Sequence, residues 1–186
     1  RMVGNVIERF GPVDILVNNA GVGQRRPFLE MTEEEWERVL AVNLKGPFLC
    51  ARAVAKEMVS RGTGGRIVSI VSTAADNARV RAAAYCASKA GLVQLTRVLA
   101  LELGSHGITA NAVGPGLTLT ESPARQPPSK TYLDAFMAQV PLGRPGSDAD
   151  IAKAVVFLAS PRAEYINGQV IYVDGGYSAG KLPVRD

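Results

Sequence analysis

The sequence predicts an α/β fold, a doubly wound parallel sheet with helices on both faces. Two observations carry that expectation. Short apolar or β-branched runs, at 14–17, 66–72, 108–113 and 169–173, lie between long stretches of helical patterning. Runs without apolar-polar alternation suit strands buried on both faces. The first three runs also end in polar or small residues: Asn18-Asn19-Ala20-Gly21, Ser72 and Gly114-Pro115-Gly116. In open α/β sheets ligands bind at that end of the strands.

Each element has a local reason. Residues 2–10 read as the tail of a helix, closed by Gly11-Pro12. Asp14 to Val17 reads as a fully buried strand. Thr32 and Glu35 form a capping box, flanked by Met31 and Trp36 as a hydrophobic staple, and a helix runs on to about Ser60. Inside it, Pro47 has no N–H for the carbonyl of Asn43, so a kink is expected there. After the Gly62–Gly65 turn comes the strand ending at Ser72, then an alanine-rich loop with Arg79 and Arg81, small enough to form a substrate wall. Residues 82–102 are helical and apolar on several sides, which predicts burial on more than one side. The proline-rich stretch 121–130 cannot be a buried strand. With a short helix over 131–139 it reads as a lid spanning 121–140. Ser147 and Asp150 cap a helix over 148–159, and Asn167-Gly168 turns into the last strand.

The totals narrow the function classes. A chain of 186 residues suffices for one domain with a proper core. No apolar run approaches a membrane span and no basic-apolar-small leader is seen, so neither membrane insertion nor secretion is indicated. The net charge of +4 suits an anionic ligand, but Lys and Arg are scattered and form no nucleic-acid-binding stripe. His106 sits in a turn sequence with no companion ligands, so no metal site is expected. Cys50 and Cys86 read as reduced, buried thiols of a cytosolic protein.

Chemistry concentrates at Tyr85-Cys86-Ala87-Ser88-Lys89. Residues four apart on a helix share one face, so an ammonium stands near a phenol. A free phenol titrates near pH ~10, and a nearby positive charge favours the phenolate. The pair is a candidate general acid and base. Ser72 lies upstream at a strand end, and Asn43 lies in the helix that Pro47 interrupts.

The combination of Asn18-Asn19-Ala20-Gly21, Ser72, Tyr85-x-x-x-Lys89 and Pro115-Gly116, in that order, resembles the short-chain dehydrogenase/reductase family from about Gly11 to Gly176. The resemblance implies a Rossmann-like fold, NAD or NADP as cofactor, and interconversion of a ketone and a secondary alcohol by hydride transfer. It implies that Ser72 holds the reacting oxygen, that Tyr85 moves its proton, and that Lys89 keeps Tyr85 acidic while bonding the cofactor ribose. Asn43 would hold a relay water through its backbone. Asn18, Ala20, Gly21, Tyr85, Lys89, Pro115, Gly116, Thr118 and Thr120 would line the cofactor. The lid would set substrate choice. A small carbonyl or alcohol substrate, a homo-oligomer (dimer or tetramer) assembled through the long helix, and a cytoplasmic setting follow from the same resemblance. Within the family the chain looks most like 3-oxoacyl-thioester reductases and sugar or polyol dehydrogenases. The family's glycine-rich phosphate loop has no counterpart, so the expected domain is single and lacks the N-terminal βαβαβ part. The alternative is a truncated, non-catalytic assembly or regulatory remnant of such an enzyme.

Overall fold

The computed structural model describes residues 1–120 and 128–180. Its centre is built from β1 (Ile15–Asn18), β2 (Gly65–Ile70), β3 (Ile108–Pro115) and β6 (Val170–Val173). These four pair in the order β1-β2-β3-β6, all parallel. Two further short strands, β4 (Thr118–Leu119) and β5 (Gly146–Ser147), pair with each other just beyond the sheet. Among the described residues six α-helices accompany them: α1 (Met2–Phe10), α2 (Glu33–Leu40), α3 (Gly46–Arg61), α4 (Ala83–Leu103), α5 (Lys130–Met137) and α6 (Asp148–Ala159).

Period-two alternation sends neighbouring strand residues to opposite faces. Ile67 joins Ala51, Val54 and Met58 of α3 and Ala100 of α4 in one core cluster. Val68, the next residue, joins Val113 and Leu158 of α6 in another. The sheet is therefore wound on both faces, with α3 and α4 on one side and α6 on the other. Met58, Ile67, Ile108 and Leu158 are almost wholly buried. Each such side chain contributes about 1.5–3 kcal/mol relative to exposure.

The strand β1 departs from the sequence reading. It is not buried on both faces: Ile15 is 48% and Val17 40% exposed. β1 pairs only with β2, so among the described residues its outer edge and the face carrying Ile15 and Val17 lie open. The apolar run was the correct signal for a strand, but it does not report which of the strand's faces other elements cover. Cys50 and Cys86 are also half-buried rather than buried, and both are free thiols.

The break near Pro47 is a π-helical turn, Ala41–Lys45, between α2 and α3, in which the Gly46 N–H donates to the Ala41 carbonyl five residues back. Both predicted caps are formed. Thr32 Oγ1 accepts from Glu35 N at 3.2 Å, and a Glu35 carboxylate oxygen accepts from Thr32 N at 3.2 Å. Ser147 and Asp150 repeat the arrangement at the start of α6. The Arg144 guanidinium, 2.8 Å away, and the Ser147 N–H hold the Asp150 carboxyl well below the usual carboxylate range. Ser129 caps α5, accepting from Tyr132 N. Pro123, Pro127 and the rest of 121–127 in the predicted lid lie outside the described residues, as does the tail 181–186.

Candidate active site

The C-terminal ends of β1, β2 and β3 carry the candidate residues. Asn18 closes β1 and ties it to β2, its Nδ2 donating to Ser69 Oγ at 3.5 Å. Asn19, Ala20 and Gly21 follow on the exposed edge. The next residue is gripped from the π-helical turn. Asn43 Oδ1 accepts from Val22 N at 2.8 Å, and its Nδ2 donates to Val22 O at 3.0 Å and to Ser88 Oγ at 3.1 Å. Ser88 Oγ in turn donates to the Tyr85 carbonyl at 2.7 Å. One wholly buried amide thus joins the loop after β1, the helical break and α4. The sequence reading concerned only the Asn43 backbone and missed both this grip and Ser88. Ser88, one turn beyond Tyr85, was the available signal.

Ser72 is buried just past β2 and caps the short turn Thr73–Ala75, its Oγ accepting from Ala74 N at 3.1 Å. That turn packs against α4, which carries Tyr85 and Lys89. Lys89 is 4% exposed, and its Nζ donates to the Ile70 carbonyl at 2.7 Å. The same Nζ stands 5.9 Å from the Tyr85 ring centroid. A Cβ added to Gly21 would lie 3.6 Å from Lys89 Nζ and 3.4 Å from Asn43 Oδ1. Gly21, Asn43, the end of β2, Tyr85 and Lys89 therefore converge on one spot. A different tyrosine is excluded from the role. The Tyr172 hydroxyl donates to Asp76 at 2.5 Å, and burial together with that carboxylate pushes its pKa up, which keeps it protonated.

The segment after β3 is held by its own packing. Pro115 pairs with Val173 of β6. A Cβ on Gly116 would come within 2.8 Å of Asp174 Cα and Cβ, so the β3–β6 contact itself requires a glycine there. Asn111 braces the same strands, donating to Ile166 O at 2.8 Å and accepting from Gln169 N at 3.0 Å. Thr118 lies in β4 with its Oγ1 shielded from solvent and unpaired among the described residues. Thr120 is half-buried beside it. The Gln24 amide, which sequence reasoning missed, is likewise shielded and unpaired among the described residues. Buried polar atoms of this kind call for a partner. A polar cofactor fits this edge, which offers the side-chain-free approach at Gly21 and the orphaned Thr118 hydroxyl.

Comparison with known proteins gives the relatives of this arrangement. A family profile described as Enoyl-(Acyl carrier protein) reductase matches residues 1–178. The 3-oxoacyl-[acyl-carrier-protein] reductase FabG of Staphylococcus epidermidis is 42% identical over 175 residues, covering 94% of this chain and 70% of that one. The chain belongs to the short-chain dehydrogenase/reductase family. The 2-dehydro-3-deoxy-D-gluconate 5-dehydrogenase of Escherichia coli is 36% identical over 178 residues, 96% of this chain and 70% of that one. Among solved structures, a gluconate 5-dehydrogenase from Burkholderia cenocepacia in complex with NADP and tartrate superposes with a TM-score of 0.91 at 35% identity, covering 96% of this chain and 69% of that one. Short-chain dehydrogenase/reductases are NAD(P)-dependent oxidoreductases that act on CH–OH and C=O groups. Among the described residues no helix is long and apolar enough to cross a membrane.

Proposed function

We propose that this short-chain dehydrogenase/reductase interconverts a ketone and a secondary alcohol at the edge formed by Ser72, Tyr85, Lys89 and Asn43. The observation that carries the reading is the position of the buried Lys89 ammonium, beside the Tyr85 ring and against Gly21 and the end of β2. Asn18, Ala20, Gly21, Pro115, Gly116, Thr118 and Thr120 would line NAD or NADP, with Tyr85 and Lys89 at its ribose. When bound, the nicotinamide ring supplies or accepts the hydride.

The protein's share is proton handling and positioning. Ser72 Oγ already accepts from Ala74 N, so its own O–H is left to donate to the substrate oxygen. In the oxidative direction the alcohol O–H breaks and its proton passes to the Tyr85 side-chain oxygen. In reduction Tyr85 returns the proton. The Asn43 carbonyl, to which Pro47 offers no N–H, would hold the water that reloads the proton.

Segment 121–140, of which α5 is the described part, would act as the lid over a single domain. We infer assembly into a homo-oligomer through α3 and α4. Exposed Phe48, Leu49, Val98 and Leu101 support that reading. The two free thiols support a cytoplasmic setting.

Tyr85→Phe tests the central assignment. It should leave cofactor affinity nearly unchanged, measured by nicotinamide fluorescence, while lowering kcat by ~10²–10⁴-fold. Turnover equal to that of the parent would remove Tyr85 from the mechanism. A second reading is a truncated, non-catalytic assembly or regulatory remnant of such an enzyme. No cofactor binding at millimolar concentration would favour it.

A further inference from the structure

We propose that Arg79 anchors a carboxylate on the substrate, so that the preferred substrates are hydroxy acids or keto acids rather than neutral polyols or neutral acyl chains. The inference rests on the placing of Ser72 and Tyr85 proposed above and adds the substrate's charge.

Arg79 touches the immediate neighbours of both residues. Its Nη2 donates to Thr73 Oγ1 at 2.8 Å, next to Ser72. Its backbone N–H donates to Cys86 Sγ at 3.4 Å, next to Tyr85. The guanidinium is half-buried, and among the described residues no carboxylate lies within ion-pair distance of it. Asp76, the one carboxylate in its loop, is engaged by the Tyr172 hydroxyl. A single threonine oxygen leaves most of the five guanidinium N–H donors without a charged acceptor. Partly desolvated cations favour a counter-ion, and a carboxylate fits the fork with two parallel bonds.

Two nearby cations, Arg26 and Arg25, are held elsewhere. Arg26 pairs with Glu35 at 2.7 Å, and its N–H donates to the Arg81 carbonyl at 2.9 Å. That strut fixes the Arg79 loop against the loop after β1. Arg25 lies over the Tyr132 ring of α5, 4.7 Å from its centroid. Among the described residues Arg79 thus reaches the residue next to Ser72 with no carboxylate paired to its guanidinium.

The test compares four- to six-carbon hydroxy acids, D-gluconate and tartrate among them, with their neutral polyol counterparts, using the cofactor-loaded protein. The expected result is a marked kcat/KM preference for an acid. Arg79→Gln should raise the KM for that acid ~10- to 100-fold with a smaller change in kcat, and raise the KM for the polyols far less than for the acid. Arg79→Lys should restore part of the loss. Acid binding to Tyr85→Phe, measured by calorimetry, should survive although turnover is gone, and should disappear in the double variant with Arg79→Gln. Equal use of acids and polyols, an acid KM unmoved in Arg79→Gln, or no acid bound or turned over would each overturn the inference. Activity surviving in Tyr85→Phe would overturn the mechanism and leave the carboxylate anchor standing.

Discussion

Replacing Asn43 with alanine should release the loop after β1. The amide makes three hydrogen bonds, to Val22 N, Val22 O and Ser88 Oγ, from a position with no solvent exposure. Each buried bond contributes about 1 kcal/mol net, and unpaired leftovers cost more. Ser88 keeps its bond to the Tyr85 carbonyl, and half-buried Val22 can recruit water, so the leftovers are partly relieved. The expected loss is about 2–4 kcal/mol. In urea that amounts to a fall of about 1–2 M in the unfolding midpoint with little change in slope. Hydrogen exchange should locate the effect, with the Val22 amide passing from protected to fast. Asn43→Asp is the informative companion. It keeps the acceptor for Val22 N but sets an acceptor against Val22 O, so it should lose stability as well. A loss in Asn43→Ala below about 0.5 kcal/mol, with the Val22 amide still protected, would refute the account of this clamp.

Other substitutions probe separate links. Gly116→Ala places a Cβ within 2.8 Å of the Asp174 backbone, and should cost about 1–3 kcal/mol in urea unfolding. An unchanged midpoint would mean that β3 and β6 part without cost. Asp150 gives a pH signature. Its folded-state pKa is depressed, so its contribution is complete above the ordinary carboxylate range and is lost as the pH falls below about 4. The parent should melt higher than Asp150→Asn at neutral pH, and the gap should close in acid. A gap independent of pH would show that the Arg144–Asp150 pair contributes nothing.

Much of the fold was legible because its signals are local. The capping boxes at Thr32 and Ser147 need only two side chains within one helical turn. Pro47 announced a break because its missing N–H acts within the same helix, although the form of the break, a π-helical turn, was not specified. The exposed face of β1, with Ile15 and Val17, was not legible, because an apolar run does not report which of its faces other elements cover. The β4–β5 pair was missed for a related reason. Two residues on each side carry no periodicity, and only the path of the chain makes them neighbours.

The sequence by itself determined the four main strands and the longer helices, the family and the placing of Tyr85 and Lys89 on one helix face, since each follows from patterning and spacing along the chain. Only the tertiary structure decided what those groups meet: Lys89 on the Ile70 carbonyl, Asn43 on Val22, Arg79 on Thr73 and Cys86. A polar side chain takes its partner from whatever the packed core brings within 3 Å or so, and that choice depends on contacts between segments far apart in the chain.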